Sequence, residues 1–136
     1  MSVKDSPNSY LSIKGETSGP IVAIAGCIHG DETLGLDILD WLEETINPAR
    51  LKGEIRLIFG NPQAYKNNTR FIDTDLNRLF DVEILERIQA LPPHERNVEE
   101  KRSAELVEIF DGLDHLLDIH ATGKPTKYPF IFTANT

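Results

Sequence analysis

Residues 21–42 read IVAIAGCIHGDETLGLDILDWL, and this stretch decides the fold class. Its first five residues form a continuous apolar run rich in β-branched side chains, which is typical of a strand buried on both faces of a parallel sheet. A polar loop follows, and apolar side chains then recur every four residues, at Leu34, Ile38, Leu42 and Ile46. That spacing predicts an amphipathic helix, which Asn47-Pro48 ends. A strand, a polar loop and a helix in this order indicate an α/β protein.

The rest of the chain extends this pattern. Further strands are predicted at residues 10–13, 54–59, 113–119 and 128–133. The last is placed at a sheet edge because it contains Pro129. Residues 15–20 are predicted as a turn and residues 63–78 as a loop. We therefore expect residues 1–136 to form a single domain, an α/β three-layer sandwich with a mixed, largely parallel sheet.

Two more helices are predicted at residues 82–91 and 98–110. Asn97 and Glu100 have the spacing of a capping box for the second of them. Residues 81–111 are rich in acidic side chains, so we expect these helices to form the solvated outer face.

Composition excludes several classes of protein. The 136 residues are 40% hydrophobic and 26% charged, which is typical of a globular chain and not of a disordered one. The net charge of −8 argues against nucleic acid or an anionic membrane as the main partner. A single cysteine excludes an intramolecular disulfide framework, and no apolar run is long enough to span a membrane. We expect a protein of the cytoplasm, a reducing compartment.

Three polar clusters each follow a predicted strand: residues 29–32, 61–78 and 120–124. Because the working crevice of an open α/β sheet lies at the carboxyl ends of its strands, we expect the clusters to meet at one edge. In the first cluster, His29 and Glu32 can turn toward one point, and His120 can supply a third zinc ligand. The alternative is a simple helix cap, with Asp31 or Thr33 as the capping residue.

The second cluster reads TRFIDTDLNRLF over residues 69–80. Its two arginines and its asparagine suit the binding of a carboxylate and the stabilisation of an oxyanion. Asp73 and Asp75 are candidates to fix the arginines. The alternative is an ion-pair cluster on the surface, which is common and contributes little to stability.

In the third cluster, Asp118 and His120 are two residues apart on a strand and share a face, so Asp118 can orient His120. His115 points to the opposite face and is expected to be structural. Cys27 lies two residues before His29, but we expect Cys27 to be a small buried residue rather than a metal ligand.

Together, these motifs resemble the succinylglutamate desuccinylase and aspartoacylase family of zinc amidohydrolases, relatives of the zinc carboxypeptidases. The matching pieces are GCIHGDE at 26–32, GNP at 60–62, residues 69–80 and DIH at 118–120. The resemblance implies a zinc carboxypeptidase-like fold and one Zn²⁺ held by His29, Glu32 and His120.

The resemblance also implies an activity, the hydrolysis of the amide bond of an N-acyl amino acid such as N-acetylaspartate or N-succinylglutamate. Arg70 would polarise the scissile carbonyl and contact the substrate, while Asn77 and Arg78 would bind its carboxylate. The implied partner is a small anionic molecule, with neither nucleic acid nor membrane. Two alternatives stay open: a carboxypeptidase-like zinc peptidase, and a non-catalytic zinc-binding domain.

The sequence departs from the family pattern in two ways. Asp31 stands where the family usually has Asn, which adds a negative charge near the metal. The family's general-base glutamate lies beyond the point where these 136 residues stop, and no residue here matches it. We therefore expect the chain to be the N-terminal catalytic portion of a longer enzyme.

Overall fold

The computed structural model describes residues 2–125 and 127–133. Its sheet has four strands: β1 (Tyr10–Lys14), β2 (Thr17–Gly26), β3 (Lys52–Phe59) and β4 (His115–Ile119). They lie side by side in the order β1-β3-β2-β4. The central strand β2 is parallel to both β3 and β4, whereas β1 is antiparallel to β3. The sheet is therefore mixed and largely parallel, as predicted.

Helices cover both faces of the sheet. They are α1 (Leu34–Thr45), α2 (Pro62–Lys66), α3 (Val82–Ala90) and α4 (Val98–Phe110), with single 3₁₀ turns at Pro48–Arg50 and Leu76–Arg78. On one face, Leu36 and Leu39 of α1 pack against Leu57 and Phe59 of β3. On the other face, the buried core residues include Ala23, Ala25, Ile58, Leu76, Ile88 and Leu106. Helix, sheet and helix form the predicted three-layer sandwich.

The predicted turn at residues 15–20 is wrong in part, because β2 already begins at Thr17. Thr17 pairs with Lys52, and an irregularity in the register before Ile21 takes up the intervening residues. Gly53 lies inside β3 with φ of +85°, where the backbone of Pro20 leaves no room for a side chain. Because glycine has no side chain, β3 continues past the close approach of Pro20 without a break.

The strand predicted at residues 128–133 is wrong for the described residues. Residues 127–133 form no strand, and Ile131 and Phe132 are 81% and 90% exposed. A strand needs a hydrogen-bonded neighbour, and Pro129 has no N–H to donate to one.

The solvated outer face predicted for the last two helices is wrong for the start of α4. Glu99, Glu100 and Arg102 are buried there. Each charge has partners inside the protein: Glu100 forms the predicted capping box with Asn97, and Arg102 donates to the carbonyl oxygens of Phe59 and Gly60. The loop predicted at 63–78 contains most of the short helix α2 and a 3₁₀ turn. Within the described residues, no helix is both long and apolar enough to cross a membrane.

Candidate metal centre

Parallel strands bring the three polar clusters together. Gly26, at the end of β2, is paired with Phe59 at the end of β3 and with Ile119 at the end of β4. The chain leaves all three strands at the same edge of the sheet, so the loops that follow them lie side by side. The expectation drawn from strand order is confirmed.

The loop between β2 and α1 is packed closely against its neighbours. The N–H of Gly30 donates to the carbonyl oxygen of Arg70 at 3.1 Å. A Cβ on Gly30 would lie 2.2 Å from the carbonyl carbon of Ala64 and 2.3 Å from the nitrogen of Tyr65. Glycine is therefore required here by the approach of α2. Thr33 is the N-cap residue of α1, but its side chain makes no capping hydrogen bond.

Three side chains from two of these loops converge on one point. One ligand atom each from His29, Glu32 and His120 lies within 4.8 Å of the others. Glu32 is central: its Oε1 is 2.9 Å from Nδ1 of His29, and its Oε2 is 3.0 Å from Nδ1 of His120. Ligands of a tetrahedral zinc ion are about 3.3 Å apart, given bonds of about 2 Å. Two imidazoles and a carboxylate at this spacing fit zinc in both chemistry and size.

Each imidazole is held from behind by an aspartate. Nε2 of His29 lies 3.0 Å from Oδ1 of Asp75, and Nε2 of His120 lies 2.6 Å from Oδ2 of Asp118. A carboxylate at Nε2 fixes the orientation of the ring and leaves Nδ1 facing Glu32. Asp118 occupies the position expected of it. Asp75 contacts His29 as well as lying 3.8 Å from Arg70, and its link to His29 was not predicted.

The electrostatics of the site favour a cation. Burial alone would raise the pKa of Glu32, but the N–H of Ala121 at 2.8 Å and the two histidines hold that pKa below its usual value. Asp118 is the main reason that the pKa of His120 is raised to about 9. A metal ion bound at His120 would displace this proton, so binding would be coupled to proton release.

Arg70 borders this centre on the solvent side. Its side chain is 47% exposed, and Nη1 lies 3.1 Å from Oε1 of Glu32. Glu32 is only 11% exposed, so this ion pair lies at the border between the buried centre and solvent. Asn77 is half-buried and contacts Asp75 through its backbone N–H. Arg78 is exposed, with Nη1 3.5 Å from the carbonyl oxygen of Asn77.

Two acidic residues differ from the sequence analysis. Asp73, predicted to fix an arginine, instead accepts a hydrogen bond from the N–H of Val98 at the start of α4. Glu99 was missed altogether, yet its fully buried carboxylate contacts the segment between Arg70 and Asp75. Nothing in the local sequence distinguishes Glu99 from Glu105 and Glu108, which are exposed on the same helix.

Comparison with known proteins identifies a family that matches most of the chain. A family model described as the succinylglutamate desuccinylase/aspartoacylase catalytic domain matches residues 18–136. The chain belongs to this family. The family match runs from β2 through the loops that carry all three candidate ligands.

Individual relatives come from both branches of the family. The chain is 37% identical over 108 residues to the aspartoacylase of Xenopus tropicalis, covering 74% of this chain and 34% of that protein. It is 40% identical over 65 residues to the succinylglutamate desuccinylase of Shewanella woodyi, covering 46% of this chain and 19% of that protein. The crystal structure of succinylglutamate desuccinylase from Vibrio cholerae superposes with a TM-score of 0.66 at 26% identity, covering 87% of this chain and 36% of that one. The chain thus spans about a third, or less, of the length of these family members.

Proposed function

We propose that this chain carries the metal-binding part of a zinc-dependent amidohydrolase that acts on N-acyl amino acids. The observation that carries the proposal is the convergence of His29, Glu32 and His120, with an aspartate behind each imidazole. Three protein ligands leave a fourth position for water or substrate, as in catalytic rather than structural zinc sites. A buried lone cysteine fits a reducing, cytoplasmic environment.

The donor set determines which chemistry the site can support. A zinc ion, when bound, supplies Lewis acidity that polarises a carbonyl group and acidifies water. Asp75 and Asp118 hold the imidazoles in the orientation that presents Nδ1 to the metal position. Their role is to fix the ligands before the metal arrives, so that little reorganisation is needed on binding.

Arg70 is the candidate to act on the substrate carbonyl. Its guanidinium lies beside Glu32 and faces solvent, so it can donate N–H groups to an oxygen that gains negative charge. Arg78, on the 3₁₀ turn that follows Asp75, is the candidate for the substrate carboxylate, together with Asn77. Among the described residues, no carboxylate lies within ion-pairing distance of Arg78. An arginine fork of this kind binds a carboxylate through two parallel hydrogen bonds.

An anionic substrate is compatible with the acidic chain. The net charge of −8 repels anions at long range, but an arginine can still bind a carboxylate through direct hydrogen bonds. A small N-acyl amino acid, such as N-acetylaspartate or N-succinylglutamate, carries the carboxylates that such arginines recognise. The names of the relatives include both substrate types and do not choose between them.

The test is hydrolysis by the zinc-loaded chain. Release of free amino acid is measured with three substrates: N-acetylaspartate, N-succinylglutamate and, to detect peptidase activity, a dipeptide. We expect slow turnover of an N-acyl amino acid, because no residue of this sequence matches the general-base glutamate of the family. That turnover should be abolished in His120→Ala and retained in His115→Ala. His115 is the matched control, because it lies exposed at the start of β4, the strand that precedes His120, and outside the site.

Other outcomes contradict the proposal in different ways. Cleavage of the dipeptide alone would assign a peptidase. Turnover that survives in His120→Ala would place the reaction elsewhere on the molecule. Stoichiometric zinc without turnover of any of the three substrates would assign a non-catalytic zinc-binding domain.

A further inference from the structure

Glu99 is the most completely enclosed acidic side chain among the described residues. It is 0% exposed, and its two oxygens accept four hydrogen bonds. Oε1 accepts from the N–H of Ile72 at 2.8 Å and from Nδ2 of Asn61 at 3.1 Å. Oε2 accepts from the N–H groups of Asp73 at 2.9 Å and Thr74 at 3.2 Å. Burial alone would raise the pKa of Glu99, but these donors lower it below its usual value, so the group is ionised at neutral pH.

The three consecutive backbone donors lie in the segment that carries the site. Arg70 comes two residues before Ile72, and Asp75 directly follows Thr74. Three successive N–H groups directed at one carboxylate define the backbone course of this segment. Main-chain polar groups in a loop need such partners, since no helix or strand supplies them.

The segment is in turn attached to the metal loop at two points. The carbonyl oxygen of Arg70 accepts the N–H of Gly30, next to His29. The carboxylate of Asp75 contacts Nε2 of His29. Any shift of the segment would therefore move both the backbone and the ring of a metal ligand.

Helix α4 and the segment also bind each other reciprocally. While Glu99 accepts three N–H groups of the segment, Asp73 accepts the N–H of Val98 at 2.9 Å. Asn61, which contacts Glu99, also caps α2 by accepting the N–H of Ala64. Through these contacts, α4 is joined directly to the segment and, through Glu99 and Asn61, to the start of α2.

From these contacts we infer that Glu99 is a positioning residue, which holds the segment from Arg70 to Asp75 so that Asp75 meets His29 and Arg70 meets Glu32. Glu99 itself touches none of the three metal ligands. It acts on them through the backbone of the segment. The inference rests on the proposed function only where it concerns metal affinity.

The experiment compares Glu99→Gln with Glu100→Gln in the full chain. The two substitutions are identical in chemistry, adjacent in sequence and both buried in α4. The amide introduced by Glu99→Gln would retain one oxygen but could not accept from all the donors. Glu100 instead contacts Asn97 and Arg87, away from the segment, and glutamine is an acceptable capping-box residue.

Two quantities are measured: amide hydrogen exchange by NMR and the zinc dissociation constant by competition with a chelator. For Glu99→Gln we expect exchange at Gly30 and at residues 72–74 to rise at least about 10-fold, and zinc affinity to fall about 10-fold, the lower end for residues that orient metal ligands indirectly. Glu100→Gln should change both by less than about twofold, because its contacts lie outside the segment. A Glu99→Gln protein with wild-type exchange at Gly30 and wild-type zinc affinity would overturn the inference.

The two measurements separate this inference from the proposed function. If the wild-type chain binds no zinc, the proposed function fails, while exchange at Gly30 still decides the role of Glu99. If Glu99→Gln does not fold, amide hydrogen exchange in the wild-type protein tests the inference instead. Protection at residues 72–74 supports the inference, and exchange as fast as at the exposed Gly123 overturns it.

Discussion

Replacing Gly30 by alanine is the perturbation whose effect follows most directly from the structure. The added Cβ would lie 2.2 Å from the carbonyl carbon of Ala64, 2.3 Å from the nitrogen of Tyr65 and 2.5 Å from the carbonyl oxygen of Thr69. All three are backbone atoms, so no side chain can rotate away. Ordinary contact begins at about 3.5 Å, so the metal loop and α2 must separate by about 1 Å.

That displacement has two expected consequences. Forcing a methyl group into a packed site typically costs about 1–3 kcal/mol of unfolding free energy. For a chain of this size, that corresponds to a fall in Tm of about 4 °C per kcal/mol. The loop also carries His29 and Glu32, whose ligand atoms must stay within zinc-binding distance of His120, so we expect zinc affinity to fall at least about 10-fold.

The assay is thermal unfolding followed by circular dichroism, together with zinc titration in the presence of a competing chelator. Gly123→Ala is the matched control, because a Cβ at Gly123 meets nothing within 4 Å. It should leave Tm within about 1 °C and zinc affinity unchanged. The packing argument would be refuted if Gly30→Ala had the same Tm and the same zinc affinity as Gly123→Ala.

Three other predictions concern single side chains. Arg70→Ala should lower kcat about 10²-fold or more, the effect of losing one oxyanion donor, and should leave zinc content unchanged. Arg50→Ala is the exposed control, and equal kcat in the two variants would show that Arg70 takes no part in the reaction. Asp118→Asn should weaken zinc binding about 10–100-fold, whereas Asp114→Asn on the same face should not, since the side chain of Asp114 accepts the N–H of Ile21. Equal zinc affinities in the two variants would show that Asp118 does not orient His120. Because the pKa of Glu99 is lower in the folded protein than in the unfolded chain, its stabilisation is present above about pH 4.5 and lost as pH falls through the folded pKa. Urea unfolding should therefore show the advantage of wild type over Glu99→Gln shrinking below about pH 4.5, and an advantage that grows there would contradict the sign.

The placement of the candidate ligands was predictable from sequence because it follows from local pattern and topology. The apolar run before His29 and the one before His120 each predict a buried strand, and parallel strands end at a common edge. The order of the motifs then assigned the family. The capping box of Asn97 and Glu100 was predictable for the same reason, since both residues belong to one turn of helix.

The contacts that support the site were not predictable in this way. Glu99 lies in an acid-rich helix whose composition is typical of a solvated face, and its partners are 25–38 residues away. Asp73 was assigned to an arginine by proximity in sequence, whereas folding brings it to Val98. The strand predicted at 128–133 was wrong because apolar residues and alternation do not by themselves provide a neighbouring strand.

The central claim is that His29, Glu32 and His120 together hold one zinc ion. Elemental analysis of the purified, untagged chain after zinc loading and removal of excess metal tests it most directly. The account predicts about one zinc per chain, lost in His120→Ala and kept in His94→Ala, whose histidine is exposed and far from the site in sequence. Absence of zinc from a wild-type chain whose circular dichroism shows it folded, or zinc retained at full stoichiometry in His120→Ala, would contradict it.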